Sequence, residues 1–242
     1  MFYLYNVHMI IPGILEKDWL DIKDKIDIVH NRNLSQSEKV NRIQIDFCDG
    51  LYVQSQTWSP LRNDAGTEQG VKYILESGLP YWEELDYEAD LMVSDLLAYI
   101  DKVSELGFTH VILHSEDELS LKEAILHAKE LMLNVGISSR NMKVIENVIT
   151  SRDILSGDMI ENIDYIQIMG IANIGYQHQE FDMSTIDKIN IIKTTLDQIV
   201  KDMKISRIIK IQIDGGMNSE TSRLCLDAGA RNIVMGSAYF RN

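Results

Sequence analysis

The chain has 242 residues, 45% hydrophobic and 25% charged, an ordinary globular composition and enough length to bury one large core, which excludes a disordered, collagen-like or disulfide-scaffold protein. With 37 acidic against 23 basic side chains, the formal net charge is −14, a field that repels phosphate backbones and anionic lipid surfaces, so neither nucleic acid nor membrane is an expected partner. Cys48 and Cys225 sit in no CxxC or Cys/His spacing, which suits a reducing compartment, the cytoplasm by default, and argues against a structural zinc site.

The N-terminus, MFYLYNVHMIIPG, is apolar. It lacks a basic n-region, a cleavage site and the roughly 20 apolar residues of a membrane span, and reads as a buried strand. In chain order, eight strands are predicted: VHMII (7–11), RIQIDF (42–47), LDYEADLMV (85–93), HVILH (110–114), LNVGI (133–137), IDYIQIM (163–169), IIKIQID (208–214) and NIVMG (232–236). Apolar residues at helical spacing lie between most of them, such as Trp19, Ile22, Ile26 and Val29, then Leu96, Ile100 and Val103, then Ile189, Ile192, Leu196 and Ile199. The last long helix is predicted to start at Asn218 or Ser219 and to stop at Gly229. No linker divides the chain, so a single (β/α)8 TIM barrel over residues 1–242 is expected, a fold of about 250 residues. GSAYFRN after strand eight is too short for the usual closing helix, and that C-terminal helix is expected to be missing. The outward side chains of strands one and eight, among them some of Val7, Met9, Ile11, Ile233 and Met235, would then form an open apolar wall. This predicts a homo-oligomer, most simply a two-fold dimer.

Alternation along the strands sorts inward from outward residues. In RIQIDFCDG, Gln44, Asp46 and Cys48 point inward; Asp86, Glu88, Asp90 and Met92 share one face; Gln212 and Asp214 share another. Carboxylates from three strands thus converge where barrels place their active sites, although burying an unpaired carboxylate costs several kcal/mol. The bland alternative is that Asp46 and Asp214 cap their own turns, next to Asp49-Gly50 and Gly215-Gly216, and that Asp90 lies on a partly solvated face. Glycine turns at Gly215-Gly216 and at Gly236-Ser237 resemble the phosphate cradle that barrels build after strands seven and eight. The loop Asn173 to Gln179, which contains Gly175, is placed to close over such a group or else lies on the surface. His110 and His114 share a face of strand four, with no role assigned. No catalytic triad, GxGxxG, GxxxxGK[ST] or HExxH is present.

The runs IQIDFCDGLYV, DLMVSD, YIQIMG with NIGYQHQEF, and IQIDGGMNSETSRLCLDAGARNIVMGSAYF resemble the ribulose-phosphate 3-epimerase family from about residue 7 to 240. The resemblance implies a barrel that interconverts ribulose 5-phosphate and xylulose 5-phosphate, with two aspartates as acid and base. In many members these also ligate a divalent metal with two histidines. It places the acid/base pair at Asp46 and Asp214, pocket methionines at Met92 and Met169 with Cys48 where a third is expected, and phosphate turns at Gly216, Gly236 and Ser237. The chain departs from the pattern at Gln44 and Asp90, which occupy the two histidine positions. It also departs at Gly13, where a serine is expected, at Gln177 and His178, where glycines are expected, and in a long loop from Trp58 to Leu85.

A set of Gln44, Asp46, Asp90 and Asp214 offers only oxygen donors, which favours magnesium, manganese or calcium over zinc. The expectation is therefore an isomerase acting on a small phosphorylated sugar, with substrate contacts at Met92, Met169, Gly175, Gly215, Gly216, Gly236 and Ser237. The alternative is an inactive barrel that binds a sugar phosphate or a protein partner.

Overall fold

The computed structural model describes residues 8–153, 157–203 and 207–241. Val7 and the start of the expected N-terminal strand lie outside them. Short runs rich in Ile and Val form eight barrel strands: β1 (Met9–Ile14), β2 (Arg42–Cys48), β3 (Asp86–Met92), β4 (His110–His114), β5 (Asn134–Ser138), β6 (Tyr165–Met169), β7 (Lys210–Asp214) and β8 (Asn232–Met235). All pair in parallel with their neighbours, and β1 closes the barrel by pairing with both β2 and β8. The helices are α1 (Trp19–Ser35), α2 (Ala65–Ser77), α3 (Leu96–Glu105), α4 (Glu118–Glu130), α5 (Met142–Thr150), α6 (Thr185–Met203), α7 (Ser219–Ala228) and α8 (Ser237–Phe240). Their starts are set chemically: the side chains of Asp64, Asp95, Asp117, Asn141 and Asn218 each accept a backbone N–H of the following turn. The main core lies between strands and helices, where the outward residues Ile43, Ile45 and Phe47 of β2 are fully buried.

Three expectations change. The stretch from Trp58 to Leu85 holds α2, whose Gly70 packs against Trp19 and Trp58, so it is not a plain loop. The closing helix is reduced to the single turn α8 and is not absent. The parity of β1 is the reverse of that expected: Met9 pairs with Asn232 and Ile11 with Val234, and Asn232 bonds Gln212 inside the barrel. Ile10 and Ile14 therefore face outward with Ile233 and Met235. Among the described residues Tyr239 and Phe240 of α8 pack on the core beside that wall. Their rings also lie under the Arg32 and Lys25 cations of α1, and the Arg32 guanidinium donates to the Tyr239 carbonyl. The apolar wall that argued for a dimer is thus partly covered among the described residues, with Ile10 and Met235 half-buried.

Inside the barrel the floor is polar. Glu88 of β3, fully buried, pairs with Arg42 of β2 at 3.1 Å and accepts from the Tyr165 hydroxyl at 2.7 Å and from Gln212 Nε2 at 2.7 Å. Burial pushes the Glu88 carboxyl up, against the opposing pull of Arg42. Gly136 makes room for the Tyr165 ring, since a Cβ there would lie 2.3 Å from it. Gly136→Ala should therefore cost about 1–3 kcal/mol of stability in urea unfolding, the usual range for overpacking. The same change in a Tyr165→Leu background should cost little. Equal costs in both backgrounds would show that the ring is not the constraint.

Candidate active site

β2, β3 and β7 deliver Asp46, Asp90 and Asp214 to one point at the carboxyl ends of the strands, each offering an oxygen within 4.8 Å of the others. Asp46 and Asp90 are buried and Asp214 is partly exposed. None of the three caps its own turn. That task falls to Asp49, whose carboxylate accepts from the amides of Leu51, Tyr52 and Ser94. Asp46 and Asp214 instead accept from one donor, Gln44 Nε2, at 2.8 and 3.0 Å. Asp90 is held more firmly, by His114 Nε2 at 2.6 Å and by Gln167 Nε2 at 3.1 Å. Of that face of β3, Glu88 and Asp90 are fully buried and only Asp86 is solvated.

Burial, followed by repulsion from Asp214 and Asp90, holds the Asp46 carboxyl well above the usual range. Burial, followed by Asp90, pushes Asp214 up to about 7. Burial and crowding thus favour protonation of Asp46 and Asp214, and a hard divalent cation that takes the place of those protons fits the cluster: three carboxylate oxygens with hydrogen-bonded supports are the donors that magnesium, manganese and calcium take. Gln44 is placed differently from a ligand. Gln212 Nε2 is committed to Glu88 at 2.7 Å and to Gln167 Oε1 at 2.9 Å, and it also faces Gln44 Oε1 at 3.4 Å. Gln212 Oε1 accepts from Asn232 at 3.0 Å. That polarity turns the amide nitrogens of both Gln44 and Gln167 towards the carboxylates.

Above the carboxylates lies a cavity of about 260 Å³, the scale of a small metabolite. It is lined by all of the expected substrate contacts, Met92, Met169, Gly175, Gly215, Gly216, Gly236 and Ser237, together with Asp46 and Asp214. Met92 and Met169 pack with Cys48 in a small apolar cluster at the mouth. Gly216 has φ +70°, and a Cβ there would lie 2.7 Å from the Phe181 backbone, so only glycine fits the turn. The loop after β6 crosses the cavity: Gln177 Nε2 bonds the Leu15 carbonyl at 3.3 Å, and Gln179 pins Asn173 and Tyr176. Sequence reasoning placed Gln44 and Gln212 inward but missed Gln167 and the bonding among the three, although a signal was present. IQI occurs in β2, β6 and β7, and its three glutamines are the fully buried, mutually bonded Gln44, Gln167 and Gln212.

Fold and site together describe a (β/α)8 barrel with carboxylates gathered at the strand ends. The chain matches the ribulose-phosphate 3-epimerase family over residues 9–240 and belongs to it. A ribulose-phosphate 3-epimerase of Bacillus subtilis is 27% identical over 232 residues, covering 95% of this chain and 90% of that protein. One from Aquifex aeolicus is 25% identical, covering 96% and 89%. Among solved structures, tryptophan synthase α-subunit from Pyrococcus furiosus aligns with a TM-score of 0.59 at 14% identity, covering 97% of this chain and 89% of that one. The 3-hexulose-6-phosphate synthase of Salmonella typhimurium aligns with a TM-score of 0.53 at 16% identity, covering 95% and 89%. These two likenesses concern the fold.

The raised carboxyls set a pH dependence. Between the unfolded value near 3.8 and the folded value near 7, native Asp214 holds a proton that the unfolded chain has released, so stability falls as pH rises through that window. Without added metal, the melting temperature should drop from about pH 4 to about pH 7, and Asp214→Asn should flatten the slope. Manganese should raise the melting temperature more at the upper end than at the lower. A slope unchanged by Asp214→Asn would contradict this assignment.

Proposed function

We propose that this chain epimerises a phosphorylated ketose at carbon 3, with ribulose 5-phosphate and xylulose 5-phosphate as its substrate pair. The observation that carries the reading is the pair Asp46 and Asp214, delivered by β2 and β7 to the base of one small cavity with raised proton affinities. Two such carboxyls hold one proton between them near neutral pH, one side ionised and the other protonated. The ionised carboxylate takes the C3 proton; the C3–H electron pair moves into the enediolate, and the carbonyl oxygen receives the charge. The protonated carboxyl then returns a proton to C3 from the opposite face, which inverts the centre and exchanges the roles of the pair.

Gln44 ties the two acids together, and His114 with Gln167 keeps Asp90 from swinging into the cavity. A divalent cation held by Asp46, Asp90 and Asp214 supplies electrophilic stabilisation of the oxyanion when bound. Met92 and Met169 line an apolar wall against the sugar carbons, and the turns at Gly175, Gly215-Gly216 and Gly236-Ser237 take the far end of the substrate. The Cys48 thiol is raised by burial and stays out of the chemistry.

Asp46→Asn and Asp214→Asn should each lower exchange of the C3 proton with solvent deuterium by about a thousand-fold or more, the scale of general acid–base catalysis. Binding of the sugar phosphate, read by calorimetry, should change by less than about ten-fold. Wild-type protein that binds ribulose 5-phosphate yet shows no exchange with magnesium, manganese, calcium or zinc would replace this reading with that of a non-catalytic sugar-phosphate binder.

A further inference from the structure

The chemistry of the cavity leaves one requirement unmet. A phosphorylated ketose brings a dianion to a protein of net charge −14, into a cavity lined by Asp46, Asp214 and Glu180. Among its lining residues the sole Lys or Arg is Arg241, next to the turn of Gly236 and Ser237, and the sole histidine is His178, on the crossing loop. Most other basic side chains that approach the body of the barrel are committed to acids, as Arg42 is to Glu88 and Lys129 and Arg207 are to Asp164. The Arg241 guanidinium has no hydrogen-bond or ion-pair partner among the described residues; its backbone amide alone is engaged, to the Ser237 carbonyl at 3.2 Å.

His178 carries an independent mark. Its φ is +62°, the left-handed region that glycine adopts freely and a side chain adopts under strain. Its two neighbours are anchored, Gln177 to Leu15 and Gln179 to Asn173 and Tyr176. A glycine at this position would relieve the strain, yet the chain places an imidazole on the cavity.

We propose that Arg241 and His178 form a side-chain clamp for the phosphate of the substrate, Arg241 from the side of the β8 turn and His178 from the crossing loop. The proposal rests on the reading of the substrate as a phosphate ester. In it, the backbone turns at Gly216 and Gly236 shape the anion's seat while these two side chains supply the positive charge.

The test measures dissociation constants for ribulose 5-phosphate and for inorganic phosphate by calorimetry, along with KM and kcat, in wild type, Arg241→Gln, Arg241→Lys, His178→Gly and the remote control Arg223→Gln on α7. Arg241→Gln should weaken both ligands by about ten- to a hundred-fold, the scale of a charge-assisted hydrogen bond. KM should rise in step, kcat should fall less, and Arg241→Lys should recover part of the loss. His178→Gly should raise the melting temperature while weakening phosphate, a divergence that a merely structural histidine would not produce.

Binding of both ligands within about two-fold of wild type in Arg241→Gln and in His178→Gly would overturn the clamp, as would wild-type protein that binds no phosphate. If wild type turns over no ketose phosphate but its phosphate affinity depends on Arg241, the epimerase reading falls and the clamp stands. If wild type is active and the variants bind as it does, the clamp alone falls.

Discussion

Gln212 holds the interior of the barrel together. From one amide it donates to the buried Glu88 carboxylate and to Gln167, and with its oxygen it accepts from Asn232 of the adjacent strand. A polar group buried without partners costs on the order of 1–3 kcal/mol, so a barrel filled with amides and carboxylates is stable only if nearly all of them are paired. The pairing has a direction. Glu88 can only accept when ionised, which orients Gln212 and leaves the nitrogens of Gln44 and Gln167 facing the three aspartates. Salt-bridged chemistry at the floor thereby decides which atoms are presented at the mouth.

The same wiring accounts for how a member of this family accommodates glutamine and aspartate at Gln44 and Asp90. Asp90 brings a third carboxyl group into a buried cluster. The amides of Gln44 and Gln167 and the ring of His114 answer it with four hydrogen bonds to the carboxylate set at 2.6 to 3.1 Å. The preference is shifted towards hard, oxygen-loving cations, since His114 is engaged by Asp90 and no thiolate faces the cluster.

Much of this arrangement could be read before any coordinates, because strand alternation is a strict period. Once RIQIDF and KIQID are strands, Asp46 and Asp214 must share the interior, and they do. What escaped was whatever depends on register between strands or on distant contact. The parity of β1 turns on its pairing with Asn232 and Val234, which nothing local to MIIPGI reveals. Helix α2 lies in SPLRNDAGTEQG and its continuation, a stretch of turn-forming residues whose helix depends on the Asp64 cap and on packing under Trp19 and Trp58. One turn of α8 suffices as a lid because cations on α1 sit over its two aromatic rings, a contact between residues more than 200 positions apart.

The order of the strands has a consequence for biosynthesis. Gln44, Asp46, Glu88 and Asp90 belong to the first two-fifths of the chain, whereas Gln212 and Asn232, which satisfy and orient them, arrive near its end. A ribosome-bound nascent chain therefore carries Glu88 with Arg42 but without Gln212, and Gln44 without the neighbour that orients its amide, and β1 lacks one of its two neighbours until β8 has emerged. Burying those carboxylates before β7 is in place would leave part of their desolvation cost uncompensated. Closure of the barrel thus depends on contacts of high sequence separation, between β1 and β8 above all.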